Sequence, residues 1–154
     1  KTYNLLQQVS GRAGRSKQKG KVMIQTYFPE QSIIKSIKKR DRNTFVKNAL
    51  EEREQFGIPP FGFMTSIIIS GSSKSNVEKY SLKLIQARQL TNNIDVLGPV
   101  EAPLALLRGH YRYRILLKGQ NRKKLNLFTK KMMSSFKTPS SIKVVIDVDP
   151  YSFL

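Results

Sequence analysis

Cysteine is absent from the sequence, histidine occurs once, and acidic residues number only ten in 154. Without cysteine there is no disulfide, no thiolate zinc site and no cysteine nucleophile within the chain. A reducing compartment fits that absence. Long apolar runs are missing too. Stretches such as Ile67-Ile68-Ile69 and Val144-Val145-Ile146 fall far below the ~20 residues needed to span a bilayer. No apolar signal-peptide core lies near the start, and the expectation is no membrane partner. The first residue is Lys rather than Met, which suggests a chain cut from something longer.

What is present is positive charge. Twenty-eight Lys and Arg against the ten acids give a formal net charge of +18. Such a field draws in polyanions, of which nucleic acid is the commonest. The alternative is a solvated, lysine-rich surface. At this length one domain, or one with an appendage, can bury a core unaided.

Hydrophobic periodicity divides the chain. Residues 1–20 read as a short helix carrying Leu5, Leu6 and Val9, followed by a Gly- and Arg-rich turn. Residues 21–28 read as a strand that Pro29 ends. From Glu30 the period is helical, with one stripe at Ile33, Ile34 and Ile37 and another at Phe45, Val46, Ala49 and Leu50, running to Gly57. Pro59-Pro60 cannot continue a helix and mark a boundary. Beyond it, strands are expected at 63–70, 94–101, 111–118 and 142–148, with helices at 74–90 and 121–136. The expected divisions are thus 1–29, 30–57 and 58–154. The fold class is α+β, and the order β-α-β-β-α-β is the ferredoxin-like arrangement, which leaves one sheet face free. The fold alone does not name a function.

The sharpest local pattern is Gln8-Val9-Ser10-Gly11-Arg12-Ala13-Gly14-Arg15. Glycines allow close backbone approach, and rigid guanidinium groups can clamp the charge that develops on a transferring phosphoryl group. A Gly-Arg loop that merely binds phosphate, or a basic turn without a role, would look similar. The run resembles motif VI of superfamily 2 helicases, Q-x-x-G-R-x-G-R. That resemblance implies Arg15 as arginine finger, Arg12 also facing the γ-phosphate, and Gln8 orienting the nucleotide or coupling it to the DNA site.

Three further landmarks follow in order: EEREQFGIPPFG at 51–62, VLGPVEAPLALLRGHYRYRILLK at 96–118, and VVIDVDP at 144–150. Together they resemble the C-terminal region of the PriA family of replication-restart helicases, over nearly the whole chain. The resemblance implies that residues 1–29 end a RecA-like α/β helicase lobe, with motif VI and a following strand, that 30–57 connect, and that 58–154 form a DNA- and partner-binding domain. It implies 3′-5′ ATP-dependent DNA unwinding by the complete parent at stalled forks, with ATP, Mg²⁺ and structural zinc held there. It also implies other primosome proteins as partners and a cytoplasmic, nucleoid-associated location. This chain has neither a phosphate-cradling G-x-x-x-x-G-K-[ST] loop nor zinc-binding cysteines, so no cofactor and no activity are expected of it alone.

Tyr111-Arg112-Tyr113-Arg114 places two tyrosines on one strand face and two arginines on the other. With Arg108 and His110 before them, these residues combine stacking faces with phosphate donors, which suits single-stranded DNA. The tyrosines could equally pack on the helices while the arginines are solvated. His110 stands where the resemblance leads one to expect a basic residue, and histidine is fully charged only in mild acid. Arg122 and Asn126 share a helix face. The resemblance makes that face a dock for the acidic C-terminal tail of single-stranded-DNA-binding protein (SSB), with Asn126 in place of a longer glutamine. An ordinary lysine-rich helix face is the plainer alternative. Asp147 and Asp149 are two apart, a spacing that can bind metal, but the strand-ending Pro150 favours a structural role. No metal site is expected. Outside the resemblance, a non-enzymatic ferredoxin-like module that binds RNA or the ribosome also fits the basic sheet.

Overall fold

The computed structural model describes residues 2–13, 21–86 and 93–150. It divides into two compact units, Lys1–Glu52 and Arg53–Leu154.

The first unit contains α1 (Thr2–Ser10), α2 (Ser32–Lys39) and most of α3 (Arg42–Gln55). Tyr3 is buried and stacks on Phe45 with ring centroids 4.5 Å apart. Arg40 closes α2 in the left-handed region at φ 55°. Asp41 then starts α3 by accepting the Thr44 N–H at 3.0 Å, and that bond holds its carboxyl below the usual aspartate range. The strand expected at 21–28 is not formed. A strand exists only through a ladder, and no described segment pairs with these residues, which leave Met23 and Tyr27 almost fully exposed.

The second unit is a four-stranded sheet under two helices. Its elements are β1 (Phe63–Gly71), α4 (Lys74–Gln86), β2 (Ile94–Leu107), β3 (His110–Gly119), α5 (Arg122–Ser134) and β4 (Ile142–Val148). The order across the sheet is β2-β3-β1-β4, every neighbour antiparallel. That is the ferredoxin-like order expected from the sequence. The last four residues of the expected helix 74–90 lie outside the described residues.

The entry to this unit depends on glycine. Gly57, at φ 57°, stops α3 and lets the Ile58 N–H donate to the Arg53 carbonyl. A Cβ on Gly62 would run into the Gly57 carbonyl, so the Pro59-Pro60 turn can fold back only with glycine there. Arg53 fastens the turn by donating to the Pro59 carbonyl at 2.7 Å.

Strand alternation places the core. Ile67 and Ile69 of β1 and Tyr113, Ile115 and Leu117 of β3 point to one face, where they meet Val77, Tyr80 and Leu84 of α4 and Leu125, Phe128 and Met132 of α5. Both helices therefore cover one face, and the opposite face is open. Strand β2 runs to Leu107, six residues beyond expectation. Register shifts between Leu97 and Val100 and between Glu101 and Leu106 absorb Pro99 and Pro103 as bulges. An edge strand tolerates those prolines because one side of it donates to no ladder. At Gly98, φ 101°, a Cβ would meet the Arg114 carbonyl at 2.7 Å. Among the described residues no helix is long and apolar enough to cross a membrane.

Candidate nucleic-acid interface

Strands β2 and β3 are joined by Arg108-Gly109, both at positive φ (51° and 76°), as a two-residue hairpin of the primed type requires. The tight turn projects Arg108 beyond the sheet and starts β3 at once with His110. The His110 ring lies 3.1 Å from the Arg108 carbonyl through Nδ1.

From this turn β3 alternates. Arg112 and Arg114 face the open side, and Tyr111 and Tyr113 face the helices. Arg112 donates weakly to the Pro103 carbonyl at 3.4 Å, across the bulged part of β2. Tyr113 is 8% exposed within the core, so the expected stacking contact gives way there to the packing alternative. Its ring fills the space opposite α4 that the sheet must close. Tyr111, at the strand end, is half-buried.

Cross-strand register orders the open face into rows. Nearest the hairpin, Arg112, Ser70 and Lys143 lie side by side. Next come Val100, Arg114, Ile68 and Val145, and then Leu97, Leu116, Ser66 and Asp147. Leu97 and Val100 are each 52% exposed, so this face is mostly aliphatic in its middle, with Arg114 set among those side chains, and cationic at its hairpin end.

The acids nearby are largely taken elsewhere. Asp95 pairs with Lys118 at 2.9 Å and Glu101 with Lys74 at 2.6 Å, while Asp149 pairs with Arg122. The hydrogen bond and charge of Glu101 raise the Lys74 ammonium above its ordinary pKa. Arg108, Arg112 and Lys143 have no carboxylate partner among the described residues.

Arg122 sits elsewhere, at the start of α5, which Asn121 caps by accepting the Lys124 N–H at 3.0 Å. Its guanidinium is 4.7 Å from the Phe63 ring centroid and 2.6 Å from Asp149. Asp149, at φ 50°, also accepts the Met64 N–H at 3.1 Å and donates its own N–H to the Met64 carbonyl at 2.8 Å. The structural role favoured for Asp149 is the one it has. Asn126, one turn along α5, is exposed.

In the first unit Gln8 is exposed on α1, and Arg12 is exposed in the turn that follows it. Arg15 lies outside the described residues. Their guanidinium and amide groups suit a nucleotide's phosphates, but the chain supplies no phosphate loop to hold one. Zinc does not fit this chain, which has no cysteine, and no group of three His, Asp or Glu among the described residues could hold a metal. Sequence reasoning missed Lys143 and the pairing of Asp149. Both become visible only through the β1–β4 register and the turn after β4.

Comparison with known proteins gives a consistent result. A family profile described as the primosomal protein N C-terminal domain matches residues 54–151. The replication restart protein PriA of Rickettsia conorii is 37% identical over 153 residues, covering 99% of this chain and 24% of the relative. The proteins of that name in Synechocystis and Bacillus subtilis are 32% and 30% identical, covering 97% and 100% of this chain and 18% and 20% of the relatives. The chain thus spans about a fifth to a quarter of these relatives' length. Among solved structures, the C-terminal DNA-binding domain of a viral latency-associated nuclear antigen aligns at TM-score 0.34 and 14% identity, over 64% of this chain and 88% of that one.

Proposed function

The chain belongs to the family of the primosomal protein N C-terminal domain, and on that premise we propose that it is the C-terminal part of an ATP-dependent DNA helicase of replication restart. The observation that carries the reading is the breadth of the likeness. Relatives named for replication restart match 99% of the chain, across both compact units and not only the sheet domain.

In this reading residues 1–29 complete a motor lobe. Arg12 and Arg15 balance the charge that builds on the γ-phosphate, and Gln8 helps to orient the nucleotide. When bound, ATP with Mg²⁺ supplies the phosphoryl chemistry. The sheet domain holds forked or single-stranded DNA through Arg108, His110, Arg112 and Arg114. Tyr111 is the remaining candidate for a stacking contact. Arg122, with Asn126 beside it, grips the terminal carboxylate of the SSB tail, a charge-assisted contact that an arginine fork suits. The parent unwinds 3′-5′ in the cytoplasm, at the nucleoid, and meets other primosome proteins there. Structural zinc belongs to parts of the parent outside this chain, and this chain by itself is inactive.

The test uses the complete helicase carrying Arg15→Ala. DNA-stimulated ATP hydrolysis is expected to fall by about a thousandfold or more, with DNA binding retained. Hydrolysis at an unchanged rate would remove the motor assignment.

A further inference from the structure

One cleft extends beyond the hairpin arginines. It is an open hollow of about 500 Å³ between the β2–β3 hairpin and the turn that leads from α5 into β4. Arg108 and Arg112 line it from the hairpin, Lys143 from β4, and Ser140 and Ser141 from the turn. Two chain segments about thirty residues apart in sequence converge here, with three cations and two exposed hydroxyl residues.

The turn is fixed by packing. Ile142 donates its N–H to the Pro139 carbonyl at 2.9 Å. A Cβ on Gly71 would meet the Ser141 carbonyl at 2.8 Å, so β1 can pass beside the turn only as glycine. The serines are therefore held at the cleft rim rather than on a loose loop. Arg112 and Lys143 flank Ser70 in one cross-strand row, and no acid of the described residues neutralises them.

We infer that this cleft seats a backbone phosphate of an unpaired nucleic-acid strand, whose neighbouring nucleotides lie along the aliphatic rows of the open face. The inference rests on the nucleic-acid reading above and deepens it. Arg108, Arg112 and Lys143 surround the phosphate, and Ser140 and Ser141 donate to its oxygens. Ile68 and Val145, which also line the cleft, begin an aliphatic shelf that Arg114 interrupts before Val100 and that resumes at Leu116 and Leu97 in the next row. A duplex keeps its bases stacked inside and would present only phosphates and groove edges to that shelf. An unpaired strand has base faces to bury. Those faces meet aliphatic side chains here, because Tyr113 and Phe63 are turned into the helix side. Asp147, at the far end of the shelf, sets a limit to it by repelling a further phosphate.

The test titrates a fluorescent oligothymidylate, and a blunt DNA duplex of equal length, into the whole chain over a range of salt. Lys143→Glu is expected to weaken oligothymidylate binding roughly tenfold, and the milder Lys143→Ala to lower the log–log salt slope by about 0.7, the contribution of one phosphate contact on a single strand. Val145→Asn, which removes aliphatic surface from the shelf without adding charge, is expected to weaken the oligothymidylate and leave the duplex unchanged. Lys130→Glu, exposed on α5, is the charge control, and circular dichroism melting checks that each variant is folded. Oligothymidylate binding that ignores both Lys143 variants would overturn the cleft and leave the nucleic-acid reading standing. Equal losses for duplex and single strand in Val145→Asn would overturn the unpaired strand. No binding of either probe by the unaltered chain would overturn the cleft and the broader reading together.

Discussion

Asp149 is the residue on which the partner-binding reading of α5 turns. Its Oδ2 lies 2.6 Å from the Arg122 guanidinium, so the fork proposed to take a partner's carboxylate already holds an internal one. The Met64 N–H fixes the other oxygen, and half of the Arg122 side chain is open to solvent, which makes the pair exchangeable rather than locked. A half-exposed pair is worth at most ~1 kcal/mol, the same order as the advantage a competing peptide must gain. Asp149→Asn keeps an acceptor for the Met64 N–H and removes the charge. Calorimetry with an acidic peptide ending in a free carboxylate is expected to show up to about fivefold tighter binding to this variant. Binding that weakens would mean that Asp149 positions Arg122 instead of competing for it.

At the scale of elements, α5 shows how local chemistry supports the site. Asn121 caps it, and Leu125, Phe128 and Met132 dock it on the sheet, so Arg122 is presented from a fixed first turn. Asn121→Ala is expected to lower stability by about 1 kcal/mol, read as a fall in the denaturation midpoint. An unchanged midpoint would show that docking alone holds the helix start. This helix was legible in the sequence because cap, apolar period and the strand that follows all agree. So were β1, β3, β4 and the open face, since Tyr111-Arg112-Tyr113-Arg114 alternates as a half-buried strand must. Two readings failed for a physical reason. The last residues of β2 were hidden because Pro103 looks like a breaker, and only an edge position with a bulge accommodates it. Residues 21–28 have the composition of a strand, yet composition cannot supply the neighbouring strand that would complete a ladder. The cleft itself was illegible. Lys143 and the Ser140–Ser141 turn are about thirty residues from the hairpin in sequence, and only the register across β1 brings them together.

Over the whole molecule, charge and shape act on different terms. The +18 net charge draws any polyanion towards the chain, with little regard for its structure, and salt weakens that attraction. In the proposed reading discrimination comes from the open face, where cations gather at the hairpin end and aliphatic side chains, with Arg114 among them, fill the middle. A partner that offers unpaired bases beside a duplex, as a fork does, can satisfy both. A regular RNA duplex satisfies only the charge.

The direct measurement is therefore a paired titration of forked DNA and an RNA duplex into the chain at two salt concentrations. The fork is expected to bind more tightly at both, with an affinity that falls as salt rises. RNA binding as tight as the fork or tighter would contradict the restart-helicase assignment and favour an RNA- or ribosome-binding module built on the same sheet.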